Sequence, residues 1–369
     1  MTVWSLTECD IDCIALGAGI LGTGGGGAVH LVQLRAKAAL RAGKEIRVIS
    51  PRDLTSDDWV LPLSALGAPT VWHEKPFAGS EAGEVITALE RFTGRTVTAL
   101  MSDEVGGANG LEHMVVAADM GLPVVDCDGM GRAFPEVPMT TLYINGLDLF
   151  PAAQADDKGN VVLYPKGASV DWLETFCRSN AISMGGMSMF GFGPFNGLDI
   201  GRTAIHHTIS HAWRIGHEVL SARANNTDPV AALLRSESAT ALITGKITAL
   251  DRETVDGFSR GKMEITEVGG ARTVSIDIQN EYLIARDGHT VLCVVPDLIC
   301  LLDSETAAPV ACEELRFGLR VTTLAIACSD ALRSEKALKV VGPQAFGYGD
   351  TKYNPFGKYV PPEFHGDTK

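Results

Sequence analysis

At 369 residues the chain is long for a single compact core and points to two domains. It is 46% hydrophobic and 21% charged, and 45 acidic against 31 basic residues leave a formal charge of −14, which argues against nucleic acid or an anionic membrane and for a small-molecule partner. No apolar run reaches the ~20 residues of a membrane span, and Met1-Thr2-Val3-Trp4-Ser5-Leu6-Thr7-Glu8 lacks a signal peptide's basic flank and apolar core, so a cytoplasmic location is expected.

Thr7, followed three residues later by Asp10, resembles a helix start with Ile11, Ile14 and Ala15 as apolar positions, whereas residues 12–16 read equally as a short strand. A run of glycines follows, Gly17-Ala18-Gly19-Ile20-Leu21-Gly22-Thr23-Gly24-Gly25-Gly26-Gly27. Val29, Leu31, Val32, Leu34, Ala38 and Leu40 then mark a helix ending at Gly43, and residues 45–50 a strand stopped by Pro51. Strands at 59–63, 96–101 and 123–126 alternate with helices at 81–92 and 111–120. This alternation predicts an α/β N-terminal domain over 1–170, its mostly parallel sheet covered by helices on both faces. Residues 184–201 are too irregular for one element and read as a packed loop or a domain junction. A helix over 202–224 follows, with Ile205, Ile209, Ala212, Trp213, Gly216, Val219 and Leu220 at helical spacing. Across 241–340 the pattern becomes short alternating strands, with Asp287-Gly288 as a hairpin turn. The region 171–369 is therefore expected to form a second, β-rich (α+β) domain, whose tail packs back on the first.

A glycine run exposes backbone N–H groups and admits close approach of a ligand, because no Cβ stands in the way. Gly17 to Gly22 spells G-x-G-x-x-G, and Gly22 to Gly27 spells it again. An NAD(P)-dependent oxidoreductase is thus one candidate, with residues 13–16 as the strand before the turn. Against it, Thr23 and four more glycines follow Gly22, and each mid-helix glycine costs about 0.8–1 kcal/mol relative to alanine. Ser50-Pro51-Arg52 stands where a ribose-binding acid belongs, and no Gly-Lys-Ser/Thr follows, so no nucleotide is expected. What remains is a glycine loop feeding a helix N-terminus, suited to an anion or a developing negative charge.

In Asp126-Cys127-Asp128-Gly129-Met130-Gly131-Arg132-Ala133-Phe134-Pro135-Glu136, extended alternation puts Asp126 and Asp128 on one face, where Arg132 or a metal would offset their charge. The alternative is two turn-capping aspartates and an Arg132–Glu136 salt bridge. Asp103-Glu104-Val105-Gly106-Gly107-Ala108-Asn109 brings Glu104 and Asn109 to the same sheet edge, although Asn109 is equally suited to capping a helix. His207 and His211, four apart on a helix, are spaced to share a metal or simply to line a polar face; His206 and His217 lie on neighbouring stripes, and His30 lies in the helix after the glycines. The eight cysteines form no Cys-x-x-Cys pair and read as reduced and structural, with Cys127 a candidate nucleophile.

Together, Leu21-Gly22-Thr23-Gly24-Gly25-Gly26-Gly27, Glu104-Val105-Gly106-Gly107-Ala108-Asn109 and the 126–136 string resemble the S-methyl thiohydantoin desulfurase family. Gly245-Lys246-Ile247, Gly257-Phe258-Ser259-Arg260-Gly261, Gln279-Asn280-Glu281-Tyr282 and Val295-Pro296-Asp297-Leu298-Ile299 look like that family's second domain. The resemblance implies a hydrolase in which water attacks the ring carbon of a cyclic S-methyl isothiourea, releasing methanethiol and a hydantoin. On that basis Asp126 and Asp128 orient or activate the water, directly or through a divalent metal. Apart from the resemblance, the spacing of His207 and His211 makes them, with Asp126 and Asp128, candidate ligands, and zinc is the metal expected. Arg132 and the backbone of Gly24, Gly25, Gly26 and Gly27 stabilise charge, and Glu104 or Glu136 handles protons. Thr23, Gly106, Gly107 and Asn109 complete the expected substrate-binding set, and a homo-oligomer is expected. A non-catalytic hydantoin-binding partner of a hydantoinase is a further alternative.

Overall fold

The computed structural model describes residues 2–68, 71, 74–255 and 258–368; Gly257 of the 257–261 string lies outside them. The ambiguity near the N-terminus resolves as helix α1 (Glu8–Leu21). The Thr7 hydroxyl accepts from the Asp10 amide at 3.2 Å and the Asp10 carboxylate accepts from the Thr7 amide at 2.9 Å. This reciprocal box satisfies two donors that a helix start leaves open. Gly17 and Gly19 therefore lie inside a helix, so no strand and tight turn precede Gly22, and the dinucleotide arrangement expected of 13–22 is not formed. Gly17 serves packing instead: a Cβ there would stand 1.8 Å from the Ala212 carbonyl oxygen, and one on Gly216 would stand 1.9 Å from that of Cys13. The two glycines let α1 and the later helix 208–224 cross backbone to backbone.

The first sheet contains β1 (Val3–Ser5), β2 (Arg47–Ile49), β3 (Trp59–Gly67), β4 (Ala99–Ser102), β5 (Val124–Val125), β7 (Ala152–Ala155), β8 (Val161–Tyr164) and β9 (Met187–Phe192), in the order β1-β2-β5-β4-β3-β9-β7-β8, and β10 (Phe195–Asn196) pairs with β3. Only β2, β5, β4 and β3 run parallel, so the sheet is mixed rather than mostly parallel. Leu61, Leu63, Leu100 and Val124 pack into one buried cluster with α1, α2 (His30–Arg41), α3 (Glu81–Thr93) and α4 (Asn109–Met120). Val60, Ala99, Met101 and Val125 join a second cluster with Leu173 and Cys177 of Val170–Ser183, which follows the one-turn helix α5 (Thr141–Ile144) and is labelled α6.

Two expectations for 184–224 fail. Residues 187–192, read as irregular, form β9 at the heart of the sheet with all six residues buried. Met-Ser-Met-Phe-Gly-Phe shows no alternation because both of its faces are covered. The helix expected over 202–224 is two: α7 (Gly197–Thr203) ends before β11 (Ile205–His206), which pairs with β6 (Cys127–Asp128), and α8 (Thr208–Ala224) starts after His207, whose φ is 61°. Helix α9 (Pro229–Ser236) then leads into the second sheet.

That sheet is wholly antiparallel. It holds β12 (Thr240–Val255), β13 (Phe258–Glu267), β14 (Thr273–Gln279), β15 (Glu281–Asp287), β16 (Thr290–Val294), β17 (Leu298–Asp303) and β18 (Arg320–Ile326), in the order β16-β15-β14-β13-β12-β18-β17. The hairpin expected at Asp287-Gly288 joins β15 to β16, with Asp287 opposite Thr290. Beyond α10 (Glu335–Val341) the tail runs back over α8: Arg214 donates to the Val360 carbonyl at 2.9 Å, and the His365 ring stacks on Trp213 at 3.7 Å. No helix among the described residues is long and apolar enough to cross a membrane.

Candidate active site

The glycine loop is fixed between the two sheets. Gly25 N bonds the Gly22 carbonyl at 2.8 Å, while the carbonyls of Thr23 and Gly24 accept from Tyr282 N and Cys312 N, each at 2.8 Å. Gly24 has φ 94°, and a Cβ there would strike the Tyr282 ring and the Cys312 sulfur at 2.7–2.8 Å. From the other side, the Gly26 and Gly27 carbonyls accept from Asn109 N and Ala108 N at 3.3 and 2.9 Å. Gly106 and Gly107 clear room for this loop rather than for a ligand, since Cβ atoms there would lie 2.8 Å from the Gly22 Cα and 2.4 Å from the Gly26 carbonyl carbon.

Beneath the loop lies a cavity of about 70 Å³, room for a few ordered waters at roughly 10–15 Å³ each. Its wall includes Gly26, Gly27, Asp103, Glu104, Glu136 and Glu281. The Gly26 and Gly27 amides carry no hydrogen bond within the described residues, and both residues line the wall. Glu104 is 8% exposed and held from both oxygens: Oε1 accepts from Asn109 Nδ2 at 2.6 Å and Oε2 from Phe134 N at 3.0 Å. Burial pushes its pKa up to about 7, opposed by those two bonds. Burial and then the neighbouring Glu104 charge raise Asp103 to about 8, with the Thr140 hydroxyl opposing. Burial likewise raises Glu136, with Glu174 adding to the effect and Arg178 opposing it.

Glu281 and Arg178 were not among the sequence candidates. Glu281 opens β15, is 2% exposed, and its Oε2 has no hydrogen-bond partner among the described residues. The signal available in the sequence was a carboxylate directly before the apolar run Tyr282 to Ala285. Arg178, on α6, donates to Glu174 Oε1 at 2.9 Å and to the Pro135 carbonyl at 2.8 Å, and its guanidinium lies 4.5 Å from the centre of the Phe258 ring. In sequence it is one charge among several on an amphipathic helix. Arg178 and Glu136 also border a second, larger hollow of about 450 Å³ between α6 and Phe258.

Several expected site residues are occupied elsewhere. Asp126 and Asp128 bond to different partners. Asp126 Oδ1 accepts from Ile209 N and Ser210 N at 2.8 and 3.1 Å, and Oδ2 from the Ser210 hydroxyl at 2.6 Å, so this carboxylate caps α8. Asp128 Oδ2 accepts from Val105 N and Gly131 N, both at 2.7 Å; burial pushes it to about 7, but it lies outside the cavity wall. Arg132, 0% exposed, forms no Glu136 salt bridge. Its donors go to Ala133 O at 3.0 Å, Asp297 O at 2.9 Å, Pro296 O at 3.3 Å and Thr23 Oγ1 at 2.7 Å, binding the glycine loop to the second sheet. Thr23, Gly24 and Gly25 belong to this junction and not to the cavity wall. Asn109 does line the cavity, but rather than capping α4 it bonds Glu104 and, through Oδ1, the Ala65 amide at 2.8 Å.

The metal candidates do not converge. His207 precedes α8, and its Nδ1 lies 3.3 Å from Asp126, whereas His211 Nε2 lies 2.8 Å from Glu237. Among the described residues no three His, Cys, Asp or Glu side chains are grouped to hold a metal ion. His206 bonds the Gly201 carbonyl, His217 stacks on Trp213, and His30 is exposed at the start of α2. Burial pushes the Cys127 thiol well above its ordinary value, which disfavours the thiolate that a nucleophile needs.

The fold is shared with the crystal structure of a protein from Chromobacterium violaceum, at a TM-score of 0.80 and 21% identity, covering 95% of this chain and 99% of that one. No curated protein matches the chain. Two family models do, in succession: the S-Me-THD-like N-terminal domain over residues 9–166 and the S-Me-THD-like C-terminal domain over 168–356. With both domains present in order over nearly its whole length, the chain belongs to the S-Me-THD-like family.

Proposed function

We propose that the protein hydrolyses a cyclic S-methyl thiohydantoin-type ring, releasing methanethiol and leaving a hydantoin. The observation that carries this is the pairing, in one small cavity, of a carboxylate poised near neutrality with two unbonded backbone amides. Glu104 is the base. At its pKa of about 7 it is substantially ionised at neutral pH, yet basic enough to draw a proton from water. Attack forms the C–O bond and moves the C=N pair onto the ring nitrogen, which takes up the proton that Glu104 received. The Gly26 and Gly27 amides face the resulting charge as preorganised donors. Asp103, at about 8, stays mostly protonated and donates to the ring. The larger hollow past Arg178 offers room for a ring substituent.

The test is methanethiol release from a panel of S-methylated thiohydantoins. Glu104→Gln should lower kcat by about 10²–10⁴-fold with little change in ring binding by calorimetry. Full turnover in that variant would remove Glu104 from the role, and ring binding without turnover in the wild type would favour a non-catalytic binder. Elemental analysis of the same preparation reports whether zinc or another divalent ion accompanies activity.

A further inference from the structure

We propose that Glu281, reaching the cavity from the second sheet, is the acid that protonates the departing sulfur, an assignment that rests on the hydrolysis proposed above. The local geometry aims this side chain. Asn280 sits in the left-handed region at φ 58° and is clamped to Ser259, donating from its amide at 2.7 Å and accepting on Oδ1 at 2.8 Å. That clamp fixes the residue that opens β15. The Glu281 carboxyl then lies against the glycine loop at Gly25, where a Cβ would stand 2.0 Å from Oε1. The other oxygen, Oε2, is buried and has no partner among the described residues, and the residue itself lines the cavity.

An ionised carboxylate with an unpaired buried oxygen is costly, whereas a neutral acid there holds a proton ready to donate. Glu104, Arg132 and Arg178 are the charged groups facing it, and burial, with Glu104 adding to it, raises its pKa well above the ordinary carboxylate range despite the two arginines. In the tetrahedral intermediate the carbon bears OH and SCH₃. As the C=O bond forms and the C–S bond breaks, sulfur takes the Glu281 proton, and the proton released by the hydroxyl restores the acid. Over one turnover the two protons of water end on the ring nitrogen and on the thiol.

A proton donor to sulfur matters most when the thiolate leaves poorly. Single-turnover rates are therefore compared for S-methyl and S-aryl derivatives of one thiohydantoin ring, by detecting released thiol. Glu281→Gln keeps the shape and a neutral donor but cannot surrender a proton. It should slow the S-methyl substrate by about 100-fold or more and the S-aryl substrate only a few-fold. Gly25→Ala, whose new Cβ displaces the same carboxyl, should show the same selectivity and carries the test should Glu281→Gln fail to fold. Equal slowing of both substrates, or slowing of neither, in a folded variant overturns the assignment. Failure of the wild type to release thiol from either substrate would instead overturn the hydrolysis itself.

Discussion

Asp103 offers a test of the cavity's electrostatics that needs no substrate. Its carboxyl is 4% exposed, and burial followed by the Glu104 charge lifts its pKa from 3.8 to about 8. A carboxyl whose folded pKa is raised binds more protons in the native state than in the unfolded chain between those two values. Its contribution to stability is therefore full below the unfolded pKa and is lost as pH rises toward about 8. From about pH 5 to about pH 8, some three units at ~1.4 kcal/mol each give a ceiling of about 4 kcal/mol. Local relaxation and entry of water bring the expected loss to about 1–3 kcal/mol. Asp103→Asn keeps the shape without the titration. Urea unfolding of both proteins across this range should show the wild type losing that amount relative to the variant, because other titrating groups contribute to both curves. A difference that stayed constant with pH, or that grew in the wild type's favour as pH rose, would refute the raised pKa and with it the neutral acid assigned to Asp103.

Gly17→Ala gains about 1 kcal/mol of helix propensity but places a methyl 1.8 Å from the Ala212 carbonyl oxygen, so the net effect should be a loss of about 1–3 kcal/mol in denaturant unfolding. An unchanged midpoint would mean that α1 and α8 do not cross as described. Asp126→Asn weakens the cap on α8 and should cost about 1–2 kcal/mol of stability, with kcat per folded molecule close to wild type; a selective loss of turnover would return Asp126 to the chemistry.

Where side-chain pattern decides the structure, the sequence was readable. The helices over 81–93 and 109–120, the strands around them and the Asp287-Gly288 hairpin were all legible from periodicity and turn residues. Pattern failed where both faces of an element are covered. In β9 full burial erased the alternation, and in α1 the glycines that look like a ligand loop are there because another helix backbone needs the space. The candidate site divides along the same line. Glu104 and Glu136 line the cavity, Glu104 from the loop that follows β4 and Glu136 from the loop that follows β6. Asp126 meets the start of α8 and Arg132 a set of main-chain carbonyls, partners that sequence does not separate from a substrate, because charge at a sheet edge looks the same in all three settings. Glu281 could not be placed at all, because its nearness to Gly25 depends on how the two sheets dock.

That docking has a consequence for how the protein is made. Among the described residues the Thr23 and Gly24 carbonyls find their partners only in Tyr282 and Cys312. At about 5–20 residues per second, a ribosome needs on the order of 15–60 s to travel from Gly24 to Cys312. Throughout that interval those two carbonyls lack their partners in the second domain, and the bonds to Ala108 and Asn109 are left to hold the glycine loop. The cavity closes only when the last third of the chain arrives, so a polypeptide truncated before β15 would carry the glycine motif and Glu104 but no working pocket.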